Sequence, residues 1–125
     1  MEKRKPELER MSMRRDEEIE EEMKSLAKKV GKDIPTSQVR KIFSEIKRLS
    51  WKLKHGEKIE VDKAMVRLKP RIAYIAARKN VLKPLYDRLS SYISSTKEEK
   101  DLDKLAFALE TFIAYQKYFK EYKEG

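Results

Sequence analysis

TSQVRKIFSEIKRLSWKL, residues 36–53, is the stretch that decides the fold class. Its apolar residues recur every three or four positions, which is the period of one face of an α-helix and not of a strand. Thr36 or Ser37 is the expected N-cap after Pro35, and Gly56 is the expected end of the helix. The apolar positions are Val39, Ile42, Phe43, Ile46, Leu49 and Leu53.

The segment before Pro35 predicts another amphipathic helix. Residues 16–30 place their apolar side chains on one narrow face. They begin with acids and end with lysines, which is the order that the helix dipole favours. Gly31 is the expected end of this helix, and its longest version extends back through Met11 and Leu8.

Three further helices are predicted after Gly56. One begins after Asp62 as N-cap and either kinks or splits into two short helices at Pro70. A bend follows around Asn80, and the next helix carries Pro84 in its first turn, where proline is tolerated. TKEE, residues 96–99, has capping-box spacing and predicts the start of the last helix.

The predicted fold class is all-α, a bundle of about five helices. No segment alternates apolar and polar residues as a strand does, and three Gly and four Pro are too few for a loop-rich β fold. The hydrophobic fraction of 39% suffices for one modest core. We therefore expect a single helical domain over residues 1–125, in which residues 1–15 join the bundle or form a mobile or helical basic arm.

Positive charge is concentrated in the middle of the chain. The net charge is +9, but residues 34–95 alone hold fifteen Lys and Arg against five Asp and Glu. A domain with a concentrated positive field is most often a binder of polyanions. A basic surface without a specific partner is the alternative that charge alone leaves open.

The sequence contains no pattern typical of an active site or a metal centre. It has no cysteine to supply a thiolate, and its three glycines are too few for a phosphate-binding loop. His55, the one histidine, is expected to be exposed at a helix end. The acids of residues 16–22 point around a helix rather than at one ion. We predict no enzymatic activity, no metal and no cofactor.

The sequence also predicts a cytoplasmic protein with no membrane partner. No apolar run approaches the roughly 18 residues that a membrane-spanning helix needs. The first fifteen residues lack the apolar segment of a signal peptide.

Basic side chains form rows on the outer faces of two predicted helices. Arginine grips a phosphate with two parallel hydrogen bonds, and the segment 61–95 holds only two acids that could neutralise its cations. We therefore predict that these rows bind a phosphate backbone. The candidate residues are Arg40, Lys41, Arg48, Lys52, Arg67, Lys69, Arg71, Arg78 and Lys79.

Two aromatic residues lie along the same rows. Trp51 follows Arg40 at helical spacing, and Tyr74 lies between Arg71 and Arg78. We expect both rings to edge the core or a subunit contact. Stacking on an exposed nucleobase is the alternative.

Three motifs, in this order, resemble the small helical subunit of type III-A (Csm) CRISPR effector complexes. They are TSQVRKIFSEIKRL (36–49), LKPRIAYIAARK (68–79) and FALETFIAYQKYF (107–119), and the resemblance covers roughly residues 35–120. It implies an all-α protein without a catalytic role, several copies of which stack into a filament. That filament braces the guide RNA–target RNA duplex and holds the target strand.

The resemblance also implies partners and makes the nine basic residues above candidate RNA-binding residues. The partners are guide RNA, target RNA, and the backbone and large subunits of the effector complex. Family motif positions fall on Arg40, Lys41, Lys69, Arg71 and Arg78.

Two alternatives remain at this point, a helical DNA-binding adaptor and a pure protein-interaction subunit. Self-association, as a homodimer in isolation, is expected because the last helix carries more aromatic residues than one small core can bury. These residues are Phe107, Tyr115, Tyr118, Phe119 and Tyr122.

Overall fold

The computed structural model describes residues 10–122, which form five α-helices and three short 3₁₀ turns joined by short connections. The helices are α1 (Asp16–Val30), α2 (Thr36–Lys54), α3 (Val61–Ala76), α4 (Lys83–Ser94) and α5 (Glu99–Glu121). The 3₁₀ turns are Met11–Met13, Gly31–Asp33 and Asn80–Leu82. Within these residues there is no strand, so the predicted all-α bundle of about five helices is confirmed.

The last helix forms the centre of the bundle. It packs against both α1 and α2, whereas α3 packs mainly against α4. The buried apolar residues of α5 cover a wider arc than one stripe, as in a helix covered by more than one neighbour. They are Leu102, Leu105, Ala106, Ala108, Leu109 and Phe112.

No helix within the described residues is long and apolar enough to span a membrane.

The first helix has the bounds that its sequence predicts, Asp16 and Val30. It does not extend back through Met11, because the backbone at Arg14 and Arg15 is extended. Met11 is instead fully buried, and its N–H donates to the carbonyl of Ser95 at 2.8 Å. Leu8, the apolar residue before Met11 in the longest predicted helix, lies outside the described residues. So do residues 1–9 of the expected basic arm.

The ends of α2 and α3 agree only in part with the sequence pattern. Gly56 follows α2 with φ of +88°, the left-handed conformation that favours glycine, so the predicted helix end is confirmed. Asp62 lies inside the first turn of α3, and the N-cap is Glu60. The helix is continuous through Pro70, so of the two predicted outcomes the split into two helices is wrong, and the kink stays a prediction. Because Pro70 has no backbone N–H, the carbonyl of Val66 has no donor within the helix. Val66 is 63% exposed, so this face of the helix is open to water.

The turn after α3 and the start of α4 follow the prediction. Helix α3 ends at Ala76, a 3₁₀ turn begins at Asn80, and Pro84 lies in the first turn of α4. Its missing N–H is one that the first turn leaves without a helical partner in any case.

A buried glutamine of α5 fixes the connection between α1 and α2. Gln116 is 3% exposed, and its Nε2 donates to the carbonyls of Gly31 and Ile34, both at 2.8 Å. Its Oε1 accepts from the Thr36 hydroxyl at 3.1 Å. The predicted cap by Thr36 or Ser37 is wrong, because the N-cap of α2 is Pro35 and no side chain caps the helix; the Thr36 hydroxyl bonds to α5 instead.

A buried carboxylate organises the start of α5. Asp101 is fully buried and accepts from the backbone N–H groups of Ser12, Lys97 and Glu98 at 2.8, 2.9 and 3.0 Å. The Arg10 Nε donates to it at 3.0 Å. This one side chain therefore joins the segment before α1 to the first turn of α5.

The capping box of α5 lies two residues after the predicted one. It is formed by Glu98 and Asp101, not by Thr96 and Glu99. Thr96 is buried, and its hydroxyl donates to the carbonyl of Tyr92 in the last turn of α4 at 2.9 Å.

Hydrogen bonding lowers the pKa of Asp101. Burial by itself raises this pKa, but the N–H donors of Lys97, Ser12 and Glu98 outweigh it and bring the pKa from 3.8 to about 2. Because the folded-state pKa is depressed, the carboxylate stabilises the fold above pH 4, and that contribution is lost as the pH falls from about 4 to 2. A shift of this size corresponds to about 2 kcal/mol.

We predict that Asp101→Asn lowers the free energy of unfolding at neutral pH by about 3 kcal/mol, because an amide cannot satisfy four donors around a buried site. Between pH 4 and pH 2 the variant should also lose less stability than the unmodified chain. Urea titrations followed by circular dichroism at several pH values measure both effects.

Glu110→Gln is the matched control, since it removes one acid from an exposed position of the same helix. It should change stability by no more than about 0.5 kcal/mol. Equal effects of the two substitutions would contradict the role assigned to Asp101.

Candidate nucleic-acid interface

A depression between α2 and α3 brings together cations from both helices. The inner residues of α2 are buried, so its basic rows face outward, and burial of Leu68 and Ile72 turns Arg71 outward on α3. The lining residues are Ser37, Arg40, Lys41, Ser44, Glu45, Arg48 and Arg71.

Two neighbouring depressions share residues with the first. One is lined by Gln38, Lys41, Ile42, Pro70, Arg71, Tyr74 and Ile75. The other is lined by Glu45, Leu49, Glu60, Lys63, Ala64, Val66, Arg67, Leu68 and Arg71. Arg71 is common to all three, and we call them together the α2–α3 groove.

The groove has an excess of positive charge that its own acids do not neutralise. Its six cations are Arg40, Lys41, Arg48, Lys63, Arg67 and Arg71. Glu45 pairs with Arg48 at 3.1 Å, and Glu60 pairs with Lys63 at 3.1 Å. The other four cations have no acidic partner among residues 10–122. They are therefore available to an anion from outside the chain.

The structure brings five of the nine candidate residues into the groove, namely Arg40, Lys41, Arg48, Arg67 and Arg71. The other four do not line it. Lys52 and Lys69 are half-buried, and Arg78 is exposed beyond the end of α3. Lys79 lies 3.7 Å from Asp33, its acidic partner near the end of α1.

Four groove residues that can donate a hydrogen bond to a phosphate were not among the candidates predicted from the sequence. Ser37 and Ser44 belong to the same α2 row as Lys41 and Arg48, and this helical spacing was the available signal. Lys63 precedes Arg67 by four residues and extends the α3 row toward the start of that helix. Gln38 carried no such signal, because an isolated glutamine fits any exposed helix position.

The last turn of α2 carries a cation that is not available to a ligand. Lys54 Nζ lies 3.0 Å from Asp103 and 3.2 Å from Glu99, both on α5. The hydrogen bond with Asp103 is the main cause that raises the pKa of Lys54. Asp103 also accepts from the buried Ser50 hydroxyl at 2.9 Å, so this cluster ties α2 to α5.

The two aromatic residues of the basic rows are exposed, so they do not edge the core, and the other expected position, in a subunit contact, stays a prediction. Trp51 is 57% exposed and Tyr74 is 73% exposed. Trp51 stacks on His55 with ring centroids 3.8 Å apart. His55 is exposed at the end of α2, as predicted. Tyr74 has no aromatic neighbour within the described part of the chain.

The acids at the start of α1 bind other helices. Glu22 accepts from the Tyr92 hydroxyl of α4, and Glu20 accepts from the Tyr115 hydroxyl of α5. Burial and then the bond to Glu22 raise the pKa of Tyr92. No three His, Cys, Asp or Glu side chains between residues 10 and 122 are grouped so that they could hold a metal ion.

A family model described as Csm2 Type III-A matches residues 14–122, which include all five helices and the whole groove. The chain belongs to the Csm2 family. The resemblance seen in residues 35–120 is confirmed, and the match adds α1 to it. No curated protein and no solved structure matches the chain.

Membership of the Csm2 family assigns the chain to an assembly. Csm2 proteins are structural small subunits of type III-A CRISPR effector complexes. The chain is therefore a subunit of such a complex and assembles with other Csm subunits.

Proposed function

We propose that this Csm2-family chain is a non-catalytic subunit that holds RNA by its phosphate backbone in the α2–α3 groove. The observation that carries the proposal is the convergence of Arg40, Lys41 and Arg71 around one depression without acidic partners among the described residues. When such cations neutralise phosphates, the counterions condensed on the nucleic acid are released, and this release is a large part of the driving force for binding.

The chemistry of the groove favours contact with phosphates over contact with bases. Arginine matches the two oxygens of a phosphate with two parallel N–H donors. Ser37 and Ser44 add hydroxyl donors of the kind that often contact phosphate oxygens. Since phosphates are identical along a strand, the groove would accept RNA of any sequence.

Within the complex we propose that several copies stack along the guide RNA–target RNA duplex and hold the target strand for antiviral defence. The resemblance supplies this arrangement, with the backbone and large subunits as neighbours. Lys52, Lys69, Arg78 and Lys79 lie outside the groove and would contact the strand where it leaves it. A chain without cysteine suits the cytoplasmic location that we propose.

The first test compares Arg71→Ala with Arg78→Ala in the isolated chain. Arg71 lines every depression of the groove and Arg78 lines none, so Arg71→Ala should weaken binding of single-stranded RNA about tenfold and Arg78→Ala less. The slope of log affinity against log salt should fall by about 0.7 for Arg71→Ala. Fluorescence anisotropy at several salt concentrations measures both quantities.

Lys29→Ala on α1 is the control, because it removes an exposed cation outside the groove. Circular dichroism verifies folding of all variants. An unchanged slope for a folded Arg71→Ala variant would contradict the proposal. DNA of the same sequence bound as tightly as RNA, together with no retention of guide RNA in complexes purified from cells, would favour the DNA-adaptor alternative.

Self-association is the second part of the proposal, and its basis is narrower than the sequence predicted. Phe107, Tyr115 and Phe119 are partly buried against the core. Tyr118 and Tyr122 remain 44% and 62% exposed, with ring centroids 5.1 Å apart. Burying this pair against a second copy removes apolar surface from water.

We predict that the isolated chain forms a homodimer at micromolar concentration and that replacing both Tyr118 and Tyr122 with Ser makes it monomeric. Light scattering should give about twice the chain mass of 14.9 kDa before the change and 14.9 kDa after it. A monomer before the change, or a dimer that survives it, would contradict this surface assignment.

We also predict that the isolated chain does not cleave RNA in magnesium or manganese. Metal-assisted hydrolysis needs carboxylates to hold the ions, and Glu45 and Glu60 of the groove already pair with cations. Gel analysis of labelled RNA after incubation tests this. Cleavage that survives repurification and disappears with one substitution in this chain would show an enzyme.

A further inference from the structure

The depression around Tyr74 differs from the rest of the groove, because it combines an aromatic ring, an apolar floor and cations. Ile42 and Ile75 lie on the apolar side, while Lys41 and Arg71 bring charge to the rim. Its volume is about 370 Å³, within the range of roughly 300–1,000 Å³ typical of small-ligand sites.

The Tyr74 side chain is more exposed than any other large hydrophobic residue in the described part of the chain, at 73%. Among these residues no ring stacks on it and no partner bonds its hydroxyl. Trp51, the other exposed ring of the basic rows, already stacks on His55. Tyr74 thus offers a free π-surface next to two cations.

We propose that Tyr74 is the stacking platform for one nucleobase of single-stranded RNA, whose phosphate lies at Arg71 and Lys41. The inference deepens the proposed function and rests on it. Gln38 lines the same depression and has an amide without a partner among residues 10–122. That amide is positioned at the rim to bond the edge of the stacked base or a ribose hydroxyl.

Two properties of the site identify this occupant. A base inside a duplex already stacks on its neighbours, so only an unpaired or displaced nucleotide can use the ring. A protein segment would need acids to match Lys41 and Arg71, whereas a nucleotide presents its phosphate and its flat base at once. Every base has a π-face, so the site would be tolerant of sequence.

The experiment compares Tyr74→Leu with Tyr74→Phe. Leucine keeps apolar bulk and helix propensity but has no π-face, while phenylalanine keeps the ring. Each variant is titrated with a short single-stranded RNA and with the same RNA carrying abasic riboses at its central positions. Circular dichroism should show unchanged folding, because the side chain is mostly exposed.

We expect the abasic RNA to bind about tenfold more weakly than intact RNA to the unmodified chain and to Tyr74→Phe. Tyr74→Leu should bind intact RNA about tenfold more weakly than the unmodified chain and lose nothing further with abasic RNA. The salt slope should be the same for all three proteins, because no charge is removed.

An equal abasic penalty in Tyr74→Leu and the unmodified chain would overturn the stacking site. So would Tyr74→Leu that binds RNA normally but fails to join the assembled complex, since Tyr74 would then be a protein contact. In both cases a reduced salt slope for Arg71→Ala would leave the proposed RNA groove intact. An unchanged slope for Arg71→Ala would instead remove the groove and the stacking site together.

Discussion

Burial of α5 between α1 and α2 is the constraint on which the rest of the structure depends. Because neighbouring helices cover more than one side of α5, its buried polar side chains are out of reach of water and must form hydrogen bonds within the fold. Asp101 near its start holds the segment before α1, and Gln116 near its end holds the connection between α1 and α2. Both anchors are buried side chains that accept or donate several hydrogen bonds, which fixes where α1 and α2 lie. The position of α2, in turn, decides which of its faces remains in water.

The groove follows from this arrangement. Helix α2 gives its apolar face to α5, and α3 packs mainly on α4, so the basic faces of α2 and α3 are left beside each other. Arg40, Lys41 and Arg71 then share one depression although like charges repel, a modest cost for exposed side chains in salt. A protein that only needed solubility could scatter these cations or pair them with acids. Bringing these cations together lowers the free energy of unfolding, as the residues of functional surfaces often do.

The sequence predicted those features that depend on neighbours along the chain. Apolar spacing located the five helices, and Gly56 and Pro84 marked a helix end and a helix start, because these effects act within one or two turns. The predicted caps are wrong because the hydroxyls have other partners: Thr36 bonds Gln116, 80 residues away, and Thr96 bonds the carbonyl of Tyr92 in the preceding helix. The sequence also located the basic rows, because each row follows the spacing of a single helix. That spacing does not determine which rows of two different helices face each other. For that reason Arg71 and Arg78 carried equal weight in the sequence, although Arg71 alone lies in the groove.

If this chain holds a target strand, as we propose, it has to accept whatever sequence the guide selects. The proposed phosphate contacts at Arg40 and Arg71 would meet this requirement, because phosphates carry no information about the base. The proposed stacking on Tyr74 would meet it too, since every base offers a flat face. Gln38 is the one groove residue whose amide matches a base edge, and a single amide without a second fixed partner discriminates little. Base pairing between guide and target would then select the sequence, as in other RNA-guided systems, while the protein would bind the strand and position it.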